Sequence, residues 1–139
     1  MKQPVGEKSC VAYVAAMATN TPPSEFKEFC KTLAVAPKDG PPYEDVHFYA
    51  YLLSKGYLCG YKLEPEESFE NVPIGGLKIT CEALLFGQPA YVLVESLQAW
   101  EHAMYWDGGK LMDPAPGEPD GVHPSKFKII SWTPIHKLV

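Results

Sequence analysis

Residues 10–19, Cys-Val-Ala-Tyr-Val-Ala-Ala-Met-Ala-Thr, constrain the fold more than any other stretch of the chain. Val11, Val14, Ala15 and Ala18 cover one side of a helix, while Tyr13 and Met17 cover another. A helix that is apolar nearly all round has no face to offer water. The pattern therefore predicts a central, buried helix around which the other elements pack. Cys10 sits at its N-terminal tip, with Ser9 before it as the expected N-cap. The positive end of the helix dipole lies there and favours a thiolate over a thiol. A structural cysteine gains nothing from that position, whereas a nucleophile does.

The elements expected to surround this helix come in chain order. Asn20-Thr-Pro-Pro ends it, and Ser24 is the expected cap of a second helix reaching about Leu33. That helix turns Phe26, Phe29, Cys30 and Leu33 inward and Lys27, Glu28 and Lys31 outward. Residues 36–43 are rich in proline and predict a loop. A third helix, from about Tyr43 to Ser54, places Val46, Tyr49, Ala50 and Leu53 at helical spacing, and Gly56 is its expected stop. His47 lies beside that stripe and reads as a packing residue. Thereafter the pattern changes. Tyr57–Leu63 alternates loosely, Glu64–Pro73 reads as a connection, Gly75-Gly76 as a turn, and Thr80–Phe86 as a short helix closed by Gly87. Strands are predicted at Pro89–Glu95, Glu101–Trp106, Lys110–Met112 and Phe127–Trp132. Helices first and strands afterwards predict an α+β fold, a helical half packed on a mostly antiparallel sheet.

A chain of 139 residues can bury a real core as one domain spanning 1–139, without metal or disulfide staples. The net charge of −5 argues against nucleic acid or an anionic membrane as the main partner. No apolar run approaches the roughly 20 residues of a membrane span, and the start lacks a basic region followed by an apolar one. Cys10, Cys30, Cys59 and Cys81 are widely spread, which fits neither a zinc knuckle nor a redox dithiol. Free thiols in a cytoplasmic protein are the expectation, with no metal and no cofactor, and with three of the four cysteines filling the core.

The segment Glu101-His-Ala-Met-Tyr-Trp-Asp-Gly-Gly-Lys-Leu-Met-Asp-Pro carries the second half of the chemistry. An Asp107-Gly108 two-residue turn makes Trp106 face Gly109, Met104 face Leu111, and His102 face Asp113. Directly opposite residues share a sheet face, with Cβ atoms roughly 4.5–5.5 Å apart. A Gly108-Gly109 turn instead makes His102 and Asp113 diagonal neighbours on one face, and a three-residue loop separates them. Met104, Trp106 and Leu111 share that face, and Ala103, Tyr105, Lys110 and Met112 form the other. A carboxylate accepting from one imidazole nitrogen fixes the tautomer and raises the basicity of the other. The pair supplies a base and its orienter for the Cys10 nucleophile. Asp107, an odd number of residues from His102, is assigned to the turn. Asp113 also reads as a residue that ends its strand before Pro114.

Gln3, Cys10, His102 and Asp113 in this order resemble the papain-like cysteine peptidase clan, and most closely its peptidase C39-like domains. The Gln–Cys helix segment, the Glu-His-Ala-Met-Tyr-Trp-Asp-Gly strand and the following Asp-Pro carry the likeness. Ser9-Cys10-Val11 stands where those domains usually have Asp-Cys-Gly, and the interval from Gln3 to Cys10 is one residue longer than usual. The chain looks most like small stand-alone C39-like proteins of bacteria and their phages. The resemblance implies a papain-like core with Cys10 as nucleophile, His102 as general base, Asp113 as its orienter and Gln3 as part of an oxyanion hole. It implies hydrolysis of a peptide or amide bond in a peptide or protein substrate through a thioester. Trp100 and Trp106 are candidate walls of a substrate groove. The competing readings are a catalytically idle papain-like fold that binds proteins and a cell-wall amidase of the NlpC/P60 type.

Overall fold

Helix α1 (Cys10–Thr19) occupies the middle of the protein, as its all-round apolarity demands. The computed structural model describes residues 1–33, 42–65, 72–74, 77–95 and 101–138. Val11, Ala12, Val14, Ala15 and Ala16 of α1 are buried, and Asn20 ends the helix in the left-handed conformation. The helix packs on β5 (Glu101–Trp106), α2 (Pro23–Thr32) and α3 (Asp45–Ser54). Helix α2 starts one residue before the expected cap. Pro22 is the N-cap residue and Pro23 the first helical one, where a missing N–H costs nothing, so Ser24 lies within the first turn. Phe26 and Cys30 point inward as expected.

Helix α3 buries a different face from the one its spacing suggests. His47, Phe48, Tyr51 and Leu52 are inside, while Val46 and Leu53 are 45% and 57% exposed. Both stripes have the same period, and the larger aromatic surface decides between them. Phe48 stacks on Tyr91 at 4.1 Å, and Tyr51 meets Phe26 and Phe29 edge-on. The Tyr91 hydroxyl donates to Asp45 Oδ1 at 3.0 Å, and the Tyr51 hydroxyl donates to Glu25 Oε2 at 2.7 Å. His47 is a satisfied packing residue. Its Nδ1 accepts from the Glu44 N–H at 3.1 Å, while the Glu44 side chain accepts from the His47 N–H in a capping box.

Five strands form one sheet in the order β1 (Tyr57–Cys59), β7 (Ile129–Lys137), β4 (Ala90–Glu95), β5, β6 (Leu111–Met112), with every neighbouring pair antiparallel. Strand β5 has its expected bounds, and β7 continues past Trp132 to Lys137. A small separate hairpin of β2 (Val72–Ile74) and β3 (Leu77–Ile79) stands where the sequence suggests only a connection and a turn. The expected loop at 36–43 lies largely outside the described residues. One sheet face places Tyr91, Leu93, Ala103 and Ile135 against α1, α2 and α3. The other places Val92, Met104, Trp106, Leu111 and Trp132 against Cys81 and Leu85, at α4 (Cys81–Leu84) and just after it. The fold is thus α+β, with the sheet covered on both sides.

The β5–β6 turn sets the register of the histidine strand. Tyr105 pairs with Met112 and Trp106 with Leu111, so Gly108-Gly109 is the turn rather than Asp107-Gly108. Asp107 closes it as a turn residue, its Oδ1 accepting from the N–H groups of Gly109 and Lys110 at 2.9 and 2.8 Å. Gly108 has φ +105°, and a Cβ there would lie 3.0 Å from the Gly87 carbonyl carbon, so no other residue fits without rearrangement.

The rotated face of α3 predicts that Phe48→Ala costs about 3–5 kcal/mol in urea unfolding, the usual range for an aromatic core truncation. Val46→Ala should stay within about 0.5 kcal/mol of wild type. The reverse order would return the buried face of α3 to Val46 and Leu53.

Candidate active site

Cys10 opens α1, and its sulfur lies half-buried against the edge of β5. Ser9 takes the N-cap position but its hydroxyl makes no cap bond. Its backbone carbonyl accepts instead from the Ala12 and Tyr13 N–H groups at 2.9 and 3.3 Å. The Ala103 N–H donates to Cys10 Sγ at 3.5 Å. Strand pairing explains why this N–H reaches sulfur. Continuing the β5–β6 register would pair Ala103 with Pro114, but β6 stops at Met112. Proline has no N–H to return to the ladder. The Pro114 carbonyl accepts from the Gln3 N–H at 2.8 Å, and the Ala103 N–H goes to the cysteine.

His102, next along β5, bonds Asp113 Oδ1 through Nε2 at 2.7 Å, and the Cys10 side chain is among the groups that favour its protonated form. With Nε2 on the carboxylate, Nδ1 is the nitrogen that remains for sulfur. The observed register makes His102 and Asp113 diagonal, the second of the arrangements the turn allows. The His102 side chain is 18% exposed and that of Asp113 only 6%. Burial works against a charged ring at His102. Hydrogen bonds to the Asp113 carboxylate and the Cys10 sulfur, with the negative charge on both, outweigh it and push the imidazole up to about 9. Asp113 also caps its own turn, Oδ1 accepting from the Ala115 N–H at 2.9 Å, so one oxygen serves both the turn and the His102 ring.

Gln3 is 7% exposed, and its Oε1 accepts from the Ser9 N–H at 3.0 Å, one residue before Cys10. A tight turn takes up the long interval between them. The Glu7 N–H donates to the Pro4 carbonyl at 3.1 Å, and Gly6 supplies a φ of +84° that suits glycine. With Oε1 turned to Ser9, the donor half of the amide faces the other way.

Trp106 does not wall a groove. It is 1% exposed, its indole N–H donates to the Leu85 carbonyl at 2.9 Å, and its ring meets Trp132 edge-on at 5.4 Å. Alternation along β5 turns it into the second core, away from the face on which α1 packs. Trp100 lies outside the described residues. Two residues at the site give no sign in the sequence. Lys2 and Asp120 hold the backbone of Asp113, and no periodicity or motif spacing links them to it.

The remaining cysteines behave as fillers. Burial pushes Cys30, Cys59 and Cys81 up to about 11, 12 and 11, with the charge of Asp45 adding to the rise at Cys59. All four thiols are free. Among the described residues no group of three or more His, Cys, Asp or Glu side chains is arranged to hold a metal ion, and no helix is long and apolar enough to cross a membrane. No family model, curated protein or solved structure matches this chain.

The raised value at His102 has a definite sign in stability. A native state that holds a proton the unfolded chain releases loses stability as pH rises. The contribution is complete below about 6.5, the ordinary histidine value, and is lost as pH passes through about 9. Urea unfolding at pH 6 and pH 9.5 should show wild type losing more stability across that window than His102→Gln. Equal losses would remove the proton from His102.

Proposed function

We propose that this chain is a cysteine hydrolase with a papain-like core, cleaving a peptide or amide bond in a peptide or protein substrate through a thioester. The observation that carries the reading is the convergence of three side chains. The Asp113 carboxylate bonds the His102 ring at 2.7 Å, and the Cys10 sulfur lies against the N–H of Ala103, the next residue of the same strand. Cys10 Sγ attacks the carbonyl carbon while the imidazolium of His102 stands beside it. The N–H of Cys10, at the first position of α1, has no acceptor within the helix and is the first donor of the oxyanion hole in this reading. The Gln3 amide is the second donor, and each such donor is worth roughly 3–4 kcal/mol in the transition state. His102 gives its proton to the leaving amine and then takes one from the water that attacks the thioester, releasing the acid and regenerating Cys10. The four free thiols fit a reducing compartment, and the reading places the protein in the cytoplasm.

Iodoacetamide at pH 6 tests the poised pair directly. Cys10 should be modified well ahead of Cys30, Cys59 and Cys81, which hold their protons to about 11, 12 and 11. His102→Ala should slow the modification of Cys10 by at least roughly tenfold, the loss of a neighbouring base. Equal labelling of all four cysteines, indifferent to His102, would sink the enzyme reading in favour of an idle protein-binding fold. A peptide library and purified peptidoglycan assayed side by side then separate a peptidase from an NlpC/P60-type amidase.

A further inference from the structure

We infer that Asp120, braced by Lys2, is a positioning residue that holds the Asp113 carboxylate against His102. The inference rests on the proposed Cys10–His102–Asp113 site and adds a part that the triad reading does not contain. Asp113 needs such a part because the sheet does not place it. It follows the end of β6, outside the ladder, and its register position is only diagonal to His102. Diagonal neighbours stand roughly 7–8 Å apart, within reach of an imidazole. The ladder ends at Met112, however, and so leaves the backbone of Asp113, and with it the aim of the carboxylate, to be fixed from elsewhere.

The backbone of Asp113 is instead gripped from outside the sheet. Its N–H donates to Asp120 Oδ1 at 2.8 Å, and its carbonyl accepts from Lys2 Nζ. Lys2 Nζ also bonds the same Asp120 Oδ1 at 2.8 Å, closing a three-membered network on one residue's backbone. The Gly121 N–H donates to the Leu111 carbonyl at 2.7 Å, which returns the 113–121 loop to the strand and presents Asp120 to Asp113. Burial opposes charge on Asp120, but the Lys2 ammonium, the Asp113 N–H and the N-terminal amine together hold its carboxyl below the usual range. It is therefore charged throughout the pH range in which His102 titrates. The groups facing His102 itself are Cys10 from α1 and Asp113 from this loop.

Lys2 and Asp120 are about one-third exposed, and an isolated ion pair of that kind adds little to stability. Their effect is geometric. A misplacement of about 1 Å at a catalytic group can cost on the order of a hundredfold in rate. The experiment is the pH profile of Cys10 alkylation by iodoacetamide in wild type, Asp120→Ala, Asp120→Asn and His102→Ala, with a melting curve for each. Asp120→Ala should lower the rate at pH 6 by roughly tenfold or more and shift the profile towards that of His102→Ala. Asp120→Asn, which keeps an acceptor for the Asp113 N–H, should recover most of the loss. An Asp120→Ala profile that overlays wild type overturns the inference, even if the melting temperature falls, and so does an asparagine variant no better than alanine. If His102→Ala alone changes the profile, the triad stands and the positioning role fails. If His102→Ala changes nothing, the triad reading itself fails.

Discussion

The N–H of Ala103 has two candidate acceptors, the next residue of a sixth strand or the sulfur of Cys10, and much of the architecture depends on which one it takes. A longer β6 would cover the edge of β5 and leave the tip of α1 with nothing to meet. Pro114 stops the ladder because it has no N–H to return, and the opened edge admits the cysteine. Sheet pairing and the site thus compete for the same few ångströms of strand edge. Burial of α1 settles the competition, since a helix with apolar residues on nearly every side must press against β5 along its length.

The residues at the start of the sequence serve the same edge. Gln3 takes the Pro114 carbonyl that Ala103 would otherwise use, and its side chain reaches the N–H of Ser9. Lys2 grips the neighbouring carbonyl of Asp113. One short arm therefore binds both the loop that carries Asp113 and the turn that leads into Cys10. Among the groups it holds, the Pro114 carbonyl is one that pairing in the sheet would have satisfied, and burying such a group without a partner would be costly.

The sequence discloses some of this and conceals the rest for physical reasons. Helix α1 is legible because its pattern admits one environment, all-round burial, and strand β5 because an apolar aromatic run leads straight into a strong glycine turn. The His102–Asp113 pair is legible as a matter of parity. Its register is not, because Asp107-Gly108 and Gly108-Gly109 are both good turns, and the structure takes the second, with Asp107 closing it. The buried face of α3 escapes the pattern because Val46–Leu53 and Phe48–Leu52 share a period, and the choice depends on Tyr91, which lies on a distant strand. Trp106 is misplaced by sequence for a related reason. Alternation groups it with Met104 and Leu111, but it does not say that this face is a second core. Asp120 and Lys2 lie beyond any pattern, since a loop that folds back on a strand leaves no periodic trace.

The sheet order β1-β7-β4 carries a consequence for how the molecule is assembled. The strand farthest along the sequence lies between two that precede it, so the central pairings join residues distant in the chain. Loop-closure entropy is lost before such contacts repay it, which makes the sheet slow to complete. Until β7 arrives, β1 and β4 each present an open row of N–H and C=O groups, and these are surfaces on which partly folded chains associate. The hairpin that bears the histidine is local and can form early. The platform that holds it rigidly against the cysteine helix is finished last.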